Sequence, residues 1–407
     1  MAFLVDFQER AESRIRKLAA KFPGSPRLQA LKLGLWSLGK AAGGRGMVSG
    51  ARKYRSRQAG PLKIAFMNMG GFGDAAISLN WIYQFITRLG CPFLFDMYSN
   101  LPEAFLRMLT DGWPGRNAVS CRGQAFRFED YDLVLHIFSM PVLLGMDEGR
   151  VRASSFAFDY CQRLQRFASA NPELFRPDNF LHIFQYAKLC GRHRWAESDF
   201  DGSLGLEQSG YPVGAGVSKQ EIMQKFGLRG TFITVQREAG FKRDGKRVGE
   251  STKLWPKENY AALVDRMAEK CGRDHSIVLI GVEKNFEAGD AAGIVDLRGK
   301  TSFEDLLSLA KHAGLHVGCE GMLPHFRHAV GGGASIVVFG PSDSDYFNYP
   351  ENIALHGQEC PHGCESVTRA WSSACVKGYP CCKSIGQVSV EDVFREVEKK
   401  LGFRNAV

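Results

Sequence analysis

Residues 315–350, LHVGCEGMLPHFRHAVGGGASIVVFGPSDSDYFNYP, set the reading of the whole chain. Leu315–Gly318 is apolar and short enough for a buried strand. Leu323–Val330 has the length of a short helix, Ala334–Phe339 reads as a second strand, and a Gly-Pro pair closes the unit. In an open α/β sheet, ligands sit at the turns that leave the C-terminal ends of the strands. Gly321 falls where the helix of this unit would begin. Backbone N–H groups at a helix start lack intrahelical partners and the helix dipole is positive there, which suits an anion such as a diphosphate. Glu320 beside it could accept hydrogen bonds from sugar or ribose hydroxyls. A plain strand-helix-strand unit with an acidic turn satisfies the same pattern.

Working upstream, a second alternating set of strands and helices precedes this unit. Thr231–Gln236 reads as a strand, followed by a charged loop over Arg237–Thr252. A helix after Trp255-Pro256 carries Tyr260, Leu263 and Met267. Ser276–Ile280 and Ile294–Leu297 read as strands, and Phe303–Ala313 as a helix. Nearer the N-terminus, Leu62–Met67 is an apolar strand that runs into Gly70-Gly71-Phe72-Gly73-Asp74. A helix-spaced run, Ala75–Leu89, follows. Strand, glycine loop and helix open a doubly wound domain. Phe93–Tyr98 and Tyr131–Phe138 are further strands there, with Leu101–Leu109 and Phe156–Phe167 as helices. The expected organisation is an extension at 1–60, an α/β domain at 61–215, a second at 216–390 with a cysteine-rich loop at 356–382, and a C-terminal helix or tail at 391–407.

Charge is unevenly placed. Residues 1–60 hold 13 Lys and Arg against Asp6, Glu9 and Glu12, a net of +10, whereas the 407-residue chain totals +9. The rest is therefore close to neutral, which argues against a nucleic-acid groove through the fold. The extension interleaves Phe3, Leu4, Phe7, Ile15 and Leu18 with basic residues, and a second amphipathic piece spans Leu28–Leu38. A basic amphipathic helix suits an anionic membrane surface, and equally suits packing on the protein itself. The chain shows neither a span-length apolar run nor a convincing signal sequence, so the expected location is cytoplasmic, with peripheral contact to the inner membrane through 1–60.

Three motifs together resemble glycosyltransferase family 9, which includes the ADP-heptose:lipopolysaccharide heptosyltransferases. The first is Cys319-Glu320-Gly321-Met322-Leu323-Pro324-His325 followed by Val338-Phe339-Gly340-Pro341-Ser342-Asp343. It is similar to the late donor-site motif of the family, although Met322 stands where Gly is common and Pro324 where Ser or Val is common. The second is Ser251-Thr252-Lys253-Leu254-Trp255-Pro256, which resembles the Thr-x-x-x-Lys-x-Trp-Pro donor loop. The third is Gly70-Gly71-Phe72-Gly73-Asp74, matching Gly-x-x-Gly-Asp.

The resemblance implies a GT-B fold, with two Rossmann-like doubly wound domains facing across a cleft. It also implies an inverting enzyme of the hexosyl- or heptosyltransferase type. Asp74 would be the base that deprotonates the acceptor hydroxyl; as a residue, it also reads as a cap at a helix start. Lys253, with Thr252, would meet the donor diphosphate, where negative charge develops on departure. Glu283, after the strand at Ser276–Ile280, matches a ribose-contacting position. Glu320, Gly321, Met322 and His325 complete the donor side, with His325 mostly structural or phosphate-adjacent. The implied donor is a nucleotide-sugar, ADP-linked by preference, and the acceptor a lipopolysaccharide core or another surface glycan. A protein hydroxyl is an alternative acceptor, and a non-catalytic membrane-surface adaptor on the same fold is the alternative of another class.

Two further patterns concern metals. Asp343-Ser344-Asp345 has the form of a metal-binding pair, but it follows Phe339-Gly340-Pro341 and fits the family's metal-free loop, so no cofactor is expected for catalysis. Eleven scattered cysteines do not form a secreted disulfide framework. Five of them crowd into 360–382, and Cys360, Cys364, Cys375 and Cys381 could hold a structural zinc or iron. Reduced thiols in a long loop are the alternative.

Overall fold

The computed structural model describes residues 60–402 apart from residue 69 and the stretches 121–125, 176–179, 215, 239–241, 244–245, 248–250, 361–362 and 369–370. The basic segment over 1–59 and the membrane contact read for it lie outside the described residues. The chain forms two units. One comprises the described residues up to Tyr186 with Trp195–Pro212, and the other comprises Ala187–Arg194 with the chain from Val213 onward. Both are α/β units built on a largely or wholly parallel sheet, the Rossmann-like architecture expected from the alternating pattern.

In the first unit, β1 (Leu62–Asn68) is the middle strand. Six of its seven residues are buried, as a parallel strand covered on both faces requires. After the glycine turn comes α1 (Phe72–Ile86), then β2 (Phe93–Ser99), α2 (Glu103–Leu109), β3 (Arg116–Ser120), β4 (Leu133–Ile137), β5 (Pro141–Met146) and α3 (Ser155–Ala170). The strand order is β3-β2-β1-β4-β5, with β5 antiparallel to β4 and the other pairs parallel. Large rings fill the space between β1, β2, α1 and α3. Trp81 stacks on Phe85 with centroids 4.9 Å apart, the Phe66 ring meets both edge-on, and the Trp81 indole N–H donates to the Tyr160 hydroxyl at 3.0 Å. The order reverses between β1 and β4, so the glycine turn leaves the sheet at a switch point.

The second unit carries α4 (Lys219–Phe226), β6 (Ile233–Gln236), α5 (Lys257–Cys271), β7 (Ile277–Leu279), β8 (Ile294–Asp296), α6 (Phe303–His312), β9 (Leu315–Cys319), α7 (Met322–Val330), β10 (Ser335–Val338), β11 (Ile353–Leu355) and α8 (Val390–Leu401). The six strands are all parallel, in the order β8-β7-β6-β9-β10-β11. The order reverses between β6 and β9. Trp255 sits fully buried in the core with Tyr260, Leu263, Ile385 and Phe394, and its indole N–H donates to the Val388 carbonyl at 2.9 Å. That burial explains a Trp-Pro pair at this place: Trp255 anchors the chain and Pro256 takes the cap position just before α5. Within the loop expected over Arg237–Thr252, Lys242–Arg243 pairs antiparallel with Lys246–Arg247, so part of that loop is a small hairpin.

Candidate active site

The second unit gathers most of the donor-side residues at its switch point. Lys253 lies in the turn that precedes α5, and Glu320 follows the last residue of β9. Their side chains form an ion pair and are 14% and 6% exposed, so the pair is largely withdrawn from water. Ser342 donates its hydroxyl to the same Glu320 oxygen at 2.9 Å. His325, one turn into α7, places Nε2 3.8 Å from the other Glu320 oxygen and pairs Nδ1 with the Tyr349 hydroxyl at 2.6 Å. Burial raises the Glu320 pKa, but the Lys253 charge and the His325 contacts outweigh it, and the carboxyl is held well below the usual carboxylate range. The Lys253 ammonium also stands 4.2 Å from the centroid of the Trp371 ring. A buried ion pair of this kind is held by its surrounding hydrogen bonds, since desolvation alone opposes it.

Gly321 is the cap residue of α7, with extended backbone (φ −178°, ψ −157°). No side chain caps this helix start and its first turn carries no acidic residue. Met322 is the first helical residue. Pro324 falls in the first turn, where a missing N–H costs nothing. An anion placed here would meet the helix dipole and the Lys253 charge together.

Thr252 directs its hydroxyl to the Trp371 carbonyl at 2.6 Å. Glu283, in the turn after β7, donates its backbone N–H to Glu238 at 3.0 Å, and Val282 does the same at 2.6 Å. Glu238 thus fills the pair of backbone donors next to the residue read as the ribose contact. Arg237 is buried and donates through Nε to the Trp255 carbonyl at 3.0 Å, tying β6 to the turn that carries Lys253. Asp343 caps a short helical turn by accepting from the Asp345 N–H at 3.0 Å, and it pairs with Lys188 at 2.6 Å. Glu238, Tyr349 and Trp371 were not among the residues singled out from the sequence, and Ser342 stood in a quoted motif without a role. Ser342 and Tyr349 lie inside the stretch that decided the fold; no pattern marks Glu238 or Trp371.

The glycine loop belongs to the first unit. Gly71 is the cap residue of α1, and its N–H donates to the Asp74 carboxylate at 2.9 Å. Asp74 therefore does act as a helix-start cap. A carboxylate accepting one backbone bond retains further acceptor positions, so a cap and a base are compatible. Gly70 is required by crowding: a Cβ there would stand 2.8 Å from both the Asp74 Cβ and the Phe138 ring. Gly73 is the second residue of α1.

The cysteines of the long loop separate into two kinds. The Cys364 thiol is pushed up by burial and by the proximity of Cys360, Cys382 and Cys375, and the Cys382 thiol is likewise raised by burial and influenced by Cys360 and Cys375. Cys381 is exposed, whereas Cys382 is buried. Among the described residues, no three His, Cys, Asp or Glu side chains stand in ligating positions. Thiolate donors as such suit zinc or iron chemically.

Residues 216–360 match the family model described as Glycosyltransferase family 9 (heptosyltransferase). Over that stretch the chain resembles glycosyltransferase family 9. The match contains every donor-side residue named from the sequence; Asp74 and three of the four candidate metal ligands lie beyond it. No curated protein matches the sequence. Among solved structures, the fold is similar to a family 9 glycosyl transferase from Veillonella parvula DSM 2008. That likeness has 15% identity and a TM-score of 0.52, and covers 86% of this chain and 100% of that one. It is also similar to TibC, the iron-containing dodecameric glycosyltransferase of enterotoxigenic E. coli H10407, at 12% identity and a TM-score of 0.53, over 85% of this chain and 78% of that one. A further structure of TibC is its complex with ADP-D-beta-D-heptose, at 12% identity and a TM-score of 0.53, over 86% of this chain and 81% of that one. At these identities the likeness establishes the fold, the two-domain GT-B type of the heptosyltransferases.

Proposed function

We propose that the protein is an inverting glycosyltransferase that moves a sugar, heptose from ADP-heptose by preference, onto a hydroxyl of a lipopolysaccharide core or another surface glycan. The observation that carries the donor side is the buried Lys253 ammonium beside a helix start, at Gly321, that no side chain caps. In the proposed reaction the acceptor oxygen attacks the anomeric carbon as its proton passes to Asp74. The bond to the diphosphate breaks with its electron pair, and Lys253 and the α7 N-terminus stabilise the departing anion. One displacement inverts the anomeric centre. No metal is assigned to this step.

The enzyme would work on the cytoplasmic side of the membrane, with residues 1–60 meeting anionic lipid. Among the described residues, no helix is long and apolar enough to cross a membrane. The cysteine-rich loop would hold a structural iron or zinc through Cys360, Cys364, Cys375 and Cys381, a reading supported by the thiolate chemistry of those residues and by the description of TibC as iron-containing.

The test is a thermal-shift screen of ADP-, UDP-, GDP- and CMP-sugars, followed by turnover with and without Asp74→Asn. Stabilisation by an ADP-sugar, with binding retained and transfer lost in the variant, is the expected result. Stabilisation by another nucleotide-sugar alone moves the donor assignment. Absence of any nucleotide binding overturns the enzyme reading in favour of an adaptor.

A further inference from the structure

The turn that carries Lys253 is held from outside by the cysteine-bearing loop. Thr252 donates its hydroxyl to the Trp371 carbonyl at 2.6 Å. The Ser251 hydroxyl and the Thr252 N–H both donate to the Ser372 carbonyl, at 2.9 and 3.2 Å. The Trp371 ring faces the Lys253 ammonium at 4.2 Å and stands 6.0 Å from the ring of Phe347. Three hydrogen bonds and a cation–π contact therefore converge on three consecutive residues, and all come from two neighbouring residues of the loop. The loop is itself fastened. The Cys364 N–H donates to the Pro341 carbonyl at 2.9 Å, and Glu365, fully buried, pairs with Lys188 at 2.5 Å. In sequence, Trp371 and Ser372 lie between Cys364 and Cys375.

We propose that Trp371 is a positioning residue for the diphosphate-binding lysine: its ring holds the Lys253 ammonium, and its carbonyl with that of Ser372 fixes the turn that presents it. The proposal rests on the donor-site reading of Lys253. The physical reason is preorganisation. A lysine side chain has four rotatable bonds, and an aromatic face removes part of their freedom without neutralising the charge. Glu320 holds the same ammonium by charge, and an incoming diphosphate competes with that carboxylate for it. The ring offers no negative charge to compete, so it keeps the ammonium in place while the anion exchanges. The segment Trp371-Ser372 of the loop thereby becomes part of the donor site.

The experiment is a double-mutant cycle read as ADP affinity by calorimetry on the full chain: wild type, Trp371→Leu, Lys253→Met and the pair. Trp371→Leu is expected to weaken ADP binding roughly three- to thirtyfold, and to change it by less than about twofold when Lys253 is already methionine. Trp371→Phe, which keeps a ring, should recover most of the affinity. An unchanged affinity in Trp371→Leu, or the same loss in both backgrounds, overturns the proposal, because a filler of space would act independently of the lysine. If the leucine variant does not fold, Thr252→Val, which deletes the hydroxyl that grips the Trp371 carbonyl, carries the same cycle with the same expected dependence on Lys253. A separate outcome strikes the reading beneath: should wild type not bind ADP, or bind it equally with Lys253→Met, the donor site itself is misassigned and the proposal falls with it.

Discussion

Two strand-turn-helix junctions in this molecule look alike and are finished differently. At the β1–α1 junction and at the β9–α7 junction a glycine occupies the cap position with extended backbone, Gly71 in one and Gly321 in the other. At the first, Asp74 folds back and accepts from the Gly71 N–H at 2.9 Å, so the helix start already has its carboxylate. At the second, the first turn is Met322-Leu323-Pro324, no acid follows, and the nearest carboxylate, Glu320, is engaged by Lys253 and Ser342. A helix start that carries its own anion has less electrostatic need for another; one that lacks it, with a lysine alongside, is suited to receive one. Under the proposed function, proton chemistry belongs to the first junction and diphosphate binding to the second.

The largest effects should separate those roles. Asp74→Asn keeps an acceptor for the Gly71 N–H but cannot take a proton. Turnover of the nucleotide-sugar is therefore expected to fall by about 10²- to 10⁴-fold, with ADP affinity within a factor of about two of wild type. Equal loss of binding and turnover would erase the distinction between the junctions. Lys253→Met should instead weaken ADP binding by about ten- to a hundredfold. It also strands Glu320 in a buried site, and breaking such a pair costs about 3–5 kcal/mol of stability. Combining it with Glu320→Gln should restore most of the stability, read by chemical denaturation, and none of the ADP affinity. Recovery of binding in the double variant would show that Lys253 matters only as a partner for Glu320.

The sequence displayed one half of this comparison better than the other. The β9–α7 junction was legible because the strand, the glycine and the helix follow each other without interruption, and the structure shifts the helix start by one residue, to Met322. The central strands were equally visible, since burial on both faces makes them apolar throughout. The edges were not: β3 reads Arg-Asn-Ala-Val-Ser and β5 opens on a proline, a residue that suits only an edge. What could not be read at all were the long-range partners. Trp371 reaches Lys253 across more than a hundred residues, and Glu238 meets the Val282 and Glu283 N–H groups across more than forty. Local periodicity carries no information about such contacts.

A smaller effect sharpens the first junction. Gly70→Ala places a methyl 2.8 Å from the Asp74 Cβ and from the Phe138 ring, so one of them must move. The expected cost is about 1–3 kcal/mol of stability, measured by denaturant unfolding, with turnover reduced more than ADP affinity. If turnover per folded molecule is unchanged, the placement of Asp74 is not critical to the reaction.

The smallest effect is a pH dependence at the second junction, and its sign is fixed in advance. Burial disfavours the Glu320 carboxylate, but Lys253 and His325 more than compensate, so its pKa in the folded chain lies below that in the unfolded chain. A depressed carboxylate contributes stability that is fully present above the unfolded value, about 4.3, and is lost as pH falls through the folded one. The difference in melting temperature between wild type and Glu320→Gln should therefore stay constant from about pH 7 to pH 5 and shrink below about pH 4.5. A difference that widens on acidification would mean that burial outweighs Lys253 and that the carboxyl is protonated more readily in the folded chain. The lysine would then be a weaker fixed charge than the donor site requires, and the contrast between the two junctions would lose its electrostatic basis.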